Sequence, residues 1–195
     1  MDAGHAQFTG SIPELYDRYL GPLFFEPYAR DIATRVEKLG ASNVLELACG
    51  TGIVTERLRN AMPANGHLLA TDLNQAMLDY AAPKFSGDES VKFEQMDATS
   101  LALPSGEFGA VVCQFGWMFF PDKLTAMREA HRVLAPSGHL LFNVWGSFAE
   151  NPLGRIAHET IGSFFETDPP LFYQTPLRVH PQATPRSGLS AAIRL

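Results

Sequence analysis

Three carboxylates, Glu46, Asp72 and Asp97, fall at or near the ends of three successive short apolar runs. The first run leads straight into Glu46-Leu47-Ala48-Cys49-Gly50-Thr51-Gly52, and a helical pattern follows at once. Gly50 and Gly52 suit a tight turn and Ala48 adds little bulk, so a ligand can approach the backbone closely there. The free N–H groups at the start of the helix after Gly52 favour an anion. Asp72 comes 20 residues after Gly52. A carboxylate at that strand end can accept both ribose hydroxyls of an adenosine, each sheltered bond being worth about 1.5–3 kcal/mol. Leu73 and Met77 offer apolar surface to an adenine. Asp97 is placed to accept from the adenine amino group, and Ala98 adds backbone groups beside it.

The elements that must position these residues alternate regularly. Asn43–Leu47, His67–Thr71, Val91–Gln95, Ala110–Gln114 and His139–Trp145 read as strands. Gly52–Met62, Asn74–Ala82 and Asp122–Leu134 read as the helices between them, with apolar residues on one side of each. Alternation at this spacing implies parallel strands joined by right-handed crossovers. The near-continuous apolar strands fit a sheet covered on both faces. The expected architecture is an α/β, doubly wound, mostly parallel sheet, with ligands at the carboxyl ends of its strands.

Before the sheet, residues 1–40 read as N-terminal helices, divided in two at Gly21-Pro22 and stopped by Gly40. Residues 41–166 form the expected core, ending in an amphipathic helix over Asn151–Phe165. Residues 167–195 are rich in proline, which breaks both helix and strand, so an irregular tail is expected.

Composition narrows the function. Hydrophobic residues make up 46% and charged residues 18%, a balance that supports a packed core. The net charge is −6 and there is no Lys/Arg run, which disfavours nucleic acid as a partner. Cys49 and Cys113 lie far apart in apolar runs and read as reduced thiols, pointing to the cytoplasm. The N-terminal Met1-Asp2-Ala3-Gly4-His5 does not resemble a signal peptide, and no apolar run approaches the ~20 residues of a membrane span. His5, His67, His139, His158 and His180 lack metal-ligand spacing, so no metal is expected, and His131 reads as a structural helical residue.

VLELACGTG, ATDLNQAML, EQMDATSLALP and REAHRVLAPSGHLLFNVW, in that order, resemble the successive motifs of class I, seven-stranded S-adenosylmethionine-dependent methyltransferases. The resemblance spans about Tyr16 to Trp145 and is nearest to the ubiquinone/menaquinone-biosynthesis branch. It implies S-adenosylmethionine as cofactor and a small, hydrophobic or aromatic methyl acceptor. By that resemblance Glu46, Ala48, Cys49, Gly50 and Gly52 face the methionine part. Asp72 holds the ribose, Leu73 and Met77 flank the adenine, and Asp97 and Ala98 read its edge. Gln114 lies near the reacting methyl. Tyr16 and Tyr19 resemble N-terminal aromatics that close over the cofactor, and Tyr16 is also a candidate to face the acceptor. Trp117 and Met118, with Phe119, are further candidates for that role, against the alternative that they simply pack a loop.

Two departures from the family pattern stand out. Ala48 occupies a position where glycine is usual, and the family's last two strands find no convincing counterpart in the tail, Val179 and Ile193 being isolated. Without them strand five becomes an unpaired edge, which would favour either a homo-oligomer formed through it or a shortened version of a longer protein. Asp168-Pro169-Pro170 near Tyr173 looks like the acidic-Pro-Pro-aromatic motif of amino-directed nucleic-acid methyltransferases, but it is misplaced and reads as a turn. Two other functions remain open: a nicotinamide-dependent oxidoreductase, although Gly-x-Gly-x-x-Gly is absent from the first turn, and a non-catalytic cofactor-binding module.

Overall fold

The structure, a computed structural model, describes residue 10, residues 12–147, residues 150–167 and the backbone of residues 191–194. A six-stranded sheet forms its centre, in the order β3-β2-β1-β4-β5-β6. The strands are β1 (Asn43–Leu47), β2 (His67–Asp72), β3 (Val91–Gln95), β4 (Phe108–Gln114), β5 (Leu134–Asn143) and β6 (Ala191–Arg194). The first five pair in parallel, as the alternating pattern predicts.

β1 and β4 lie in the middle, and their side chains are buried on both faces. On one face Val44, Ala110 and Val112 pack against Ile32 and Val36 of α2 (Glu26–Leu39) and Leu58 of α3 (Ile53–Ala61). On the other, Leu45, Leu47, Val111 and Leu140 pack against Ala126, Ala130 and Val133 of α5 (Lys123–Val133). Each fully buried Leu or Val removes apolar area from water worth about 1.5–3 kcal/mol. Helix ends follow the local chemistry. Asn74 caps α4 (Gln75–Ala81) by accepting from the Ala76 N–H at 3.1 Å, and Asp122 caps α5 by accepting from the Thr125 N–H at 2.9 Å.

Three sequence expectations are corrected. First, Gly21-Pro22 does not divide the N-terminal segment. The chain winds on from α1 (Ile12–Leu15) through a π-helical stretch, Tyr16–Phe25, into α2. The wider winding absorbs Pro22, and the Glu26 N–H reaches back five residues to the Gly21 carbonyl.

Second, the tail does add a strand. β6 runs antiparallel beside β5, pairing His139 with Arg194 and Phe142 with Ala191. Ile193, passed over as isolated, sits opposite Leu140 in that ladder. The sheet therefore lacks one of the two expected closing strands among the described residues rather than both. The edge of β5 is occupied by its own chain over residues 139–142, which removes the reason given for a homo-oligomer there. The segment carrying Asp168-Pro169-Pro170 and Tyr173 lies outside the described residues.

Third, β5 begins at Leu134 rather than at His139, with a register shift opposite Phe108 and Ala110. Gly138 allows this, because a Cβ there would lie 2.8 Å from the Phe108 carbonyl oxygen.

The Asn151–Phe165 expectation corresponds to α6 (Pro152–Gly162), which has no buried residue. Among the described residues no helix is long and apolar enough to cross a membrane, and no group of three or more His, Cys, Asp or Glu could hold a metal ion.

Candidate functional site

The three carboxylates do share one edge of the sheet. β1, β2 and β3 are neighbours, with Leu47 beside Thr71 and Asp72 beside Gln95. The bend after β1 is pinned to that edge. The Cys49 N–H donates to the Thr71 carbonyl at 2.9 Å, and the Thr71 hydroxyl to the Glu46 carbonyl at 2.8 Å. Asp72 holds the bend directly: its Oδ2 accepts the Gly50 N–H at 2.8 Å and its Oδ1 the Asn74 N–H at 2.8 Å. Burial raises the Asp72 pKa, and the backbone N–H groups of Asn74, Gly50 and Leu73 pull it back down.

The bend runs through left-handed backbone at Ala48 (φ 55°), Gly50 (φ 55°) and Gly52 (φ 85°). Glycine tolerates this freely, while alanine at position 48 stores about 1–2 kcal/mol of strain. A non-glycine residue held in this region by its surroundings points to a site. Phe115, just beyond β4, is the second such residue (φ 54°), and its ring stacks on Trp145 at 4.2 Å.

Between the bend and the N-terminal winding lies a cavity of about 50 Å³. Of the sequence-derived candidates, Tyr16, Glu46, Ala48, Cys49, Gly50 and Gln114 line it. Thr51 of the predicted bend lines it too, as do Phe25, Ile53 and Val54, which were not singled out as site residues from the sequence. Glu46 is 2% exposed and its Oε2 accepts the Thr55 hydroxyl at 2.7 Å. Burial pushes its pKa up to about 8, the Thr55 bond opposing and the Asp72 charge adding. Burial also raises Tyr16, reinforced by the negative charges of Asp72 and Asp17. Gln114 donates from Nε2 to the Phe25 carbonyl at 3.1 Å and accepts at Oε1 from Asn143 at 3.1 Å. Thr51 is 1% exposed, and among the described residues its hydroxyl finds no hydrogen-bond partner. An orphaned buried hydroxyl on a cavity wall marks a place where a polar ligand atom restores the missing bond.

Other candidates lie elsewhere. Trp117 packs in the core against Phe120 and Phe142, each at 5.3 Å between ring centroids, and is 6% exposed. It does not line the cavity. Met118 accepts the Trp145 N–H at 3.4 Å through sulfur. Met77, on α4, is buried and does not line the cavity. Tyr19 is 54% exposed, with the Arg18 guanidinium 5.3 Å from its ring centre. Leu73 is exposed at the rim, Ala98 is buried, and Gly52 packs against Ala81 and Phe85. Asp97 accepts from the Thr99 N–H and hydroxyl at 2.8 and 2.7 Å, closing its own turn outside the cavity. Cys49 and Cys113 are buried, unpaired and held well above the usual thiol pKa by burial, so neither is a nucleophile.

A methyltransferase-domain family model matches residues 44–138, from β1 into β5. Over that stretch the chain is similar to methyltransferase domains. The chain is also 29% identical over 131 residues to a demethylmenaquinone methyltransferase from Staphylococcus epidermidis, covering 66% of this chain and 54% of that protein. A second demethylmenaquinone methyltransferase, from Lactococcus lactis, is 29% identical over 140 residues, covering 69% and 56%. The chain thus spans about half the length of the curated relatives it matches. Among solved structures, an S-adenosylmethionine-bound amino pentose methyltransferase from Micromonospora echinaspora superposes with a TM-score of 0.58 at 26% identity, over 68% of this chain and 56% of that one.

Proposed function

We propose that this chain binds S-adenosylmethionine at the bend after β1 and transfers its methyl group to a small hydrophobic or aromatic acceptor. The observation that carries the reading is the cavity at the carboxyl edge of the sheet. It is walled by the left-handed Ala48–Gly52 bend, tied to Asp72, and fitted with the unpartnered Thr51 hydroxyl.

The residues present suit the cofactor. Asp72 Oδ2 and Oδ1 accept the Gly50 and Asn74 N–H groups and retain lone-pair capacity for ribose hydroxyls. The Thr51 hydroxyl gains the partner it lacks. Gln114 stands at the end of β4 with its amide already oriented by Phe25 and Asn143. Tyr16 and Phe25, stacked at 4.8 Å, put aromatic rings on the wall, and such rings attract a cation. Glu46, raised to about 8 by burial, ionises more readily once a cation lies beside it.

The bound cofactor supplies an electrophilic methyl carried on sulfur. The protein's part is to hold that methyl and the acceptor in line and to exclude water, which alone contributes several kcal/mol. The relatives named demethylmenaquinone methyltransferases support a ring-bearing, hydrophobic acceptor. Residues 12–39 act as the cover of the site, and residues 43–143 as the core that builds it. Buried, unpaired Cys49 and Cys113 support a reducing, cytoplasmic setting.

Turnover tests the proposal. With S-adenosylmethionine carrying a labelled methyl, label is expected in a hydroquinone- or phenol-type acceptor and not in a hydrophilic amine. No transfer to any acceptor, with cofactor binding intact, would make the chain a non-catalytic cofactor module.

A further inference from the structure

The π-helical winding Tyr16–Phe25 closes one side of the cavity, Tyr16 and Phe25 both lining it. With the winding in place the cavity measures about 50 Å³. Sites for drug-sized ligands and cofactors run to roughly 300–1,000 Å³. A ligand of that size does not fit within the present walls, of which the winding is one.

The winding is fastened at both ends. At one end the Phe25 carbonyl accepts from Gln114. At the other Asp17 Oδ2 accepts from Lys84 Nζ at 2.8 Å and from the Tyr80 hydroxyl at 3.2 Å. The same Lys84 ammonium donates to the Thr51 carbonyl at 2.9 Å and lies 4.6 Å from the centre of the Tyr80 ring. One cation therefore ties the winding to the cofactor bend and to the segment after α4. Between the fastenings the winding shows little grip: Tyr19, Leu20 and Leu23 are exposed, and only Gly21 is buried, against Ile53. π-helical turns inside α-helices are frequent at functional sites.

We propose that the Asp17–Lys84 ion pair, closed by the Tyr80 hydroxyl, is a latch that holds the Tyr16–Phe25 winding over the cavity and sets the rate at which cofactor exchanges. This rests on the reading of the cavity as the cofactor site. Asp17 and Lys84 act through the winding and the bend, so they are positioning residues.

The test uses the full chain with S-adenosylhomocysteine as probe. Its dissociation rate is measured by stopped flow in wild type, Asp17→Asn, Lys84→Met and the double variant. Backbone hydrogen exchange of the ligand-free proteins is followed alongside. The latch predicts dissociation faster by about three- to tenfold in each single variant, with the double variant no faster than the singles. Exchange should quicken over residues 15–25 and stay unchanged in α5. Dissociation within twofold of wild type in both single variants overturns the latch. Binding by none of the four proteins overturns the cofactor reading instead. The exchange data then judge the latch alone: faster exchange confined to residues 15–25 upholds it, and unchanged exchange overturns it.

Discussion

The Cβ of Ala48 fills the space that a side chain at position 116 would need. A Cβ built on Gly116 overlaps it and comes within 3.0 Å of Cys113 Sγ. The bend after β1 and the turn after β4 thus meet backbone to side chain, and the extra methyl at position 48 is tolerated because position 116 is glycine. This contact predicts a coupled pair. Gly116→Ala should destabilise the fold by about 2–3 kcal/mol through overpacking. Ala48→Gly alone should stabilise it by about 1 kcal/mol by relieving the left-handed strain. The double variant should recover part of the Gly116→Ala loss, Cys113 keeping the remainder. Urea unfolding of the four proteins measures the coupling; strict additivity would mean that the two positions do not interact.

Thr51 should respond with opposite signs in the two states. Thr51→Val removes a buried, unpartnered hydroxyl at nearly constant shape. The ligand-free protein is expected to gain about 1 kcal/mol in thermal or urea unfolding. Affinity for S-adenosylhomocysteine should fall by about tenfold, because the bound state loses a hydrogen bond. A loss of stability in the ligand-free variant would show that the hydroxyl is satisfied already.

Glu46 makes stability depend on pH. Its carboxyl titrates near 4.5 when exposed and near 8 in the fold. The fold therefore holds the extra proton between those values. The stabilisation linked to that proton is complete below about 4.5 and is lost as pH rises through about 8. Glu46→Gln cannot titrate, so its melting temperature should fall less than that of wild type over this range. Melting curves of both proteins across the range check it, and parallel curves would contradict the raised pKa.

Much of this site was legible because it is local. The bend Ala48–Gly52, the carboxylates at three strand ends and Gln114 are set by strand registers that the apolar runs announce. What escaped is set by contacts between distant segments. Trp117 looked free for an acceptor, but β5 supplies Phe142 to stack on it. Asp97 stands at the expected strand end, where Thr99, two residues on, bonds its Oδ1. Phe25 became visible only when the N-terminal winding folded back onto the bend. β6 was hidden by its length: four residues, Ala191–Arg194, carry too little pattern to read as a strand until β5 offers them an edge.

Calorimetric titration of S-adenosylmethionine into wild type and Asp72→Ala tests the central claim most directly. The account predicts one site in wild type, with affinity weaker by about tenfold or more in the variant as the sheltered charged hydrogen bonds are lost. NAD should give no binding heat in either protein. Equal affinity for S-adenosylmethionine in the two proteins, or binding of NAD in its place, would contradict the account.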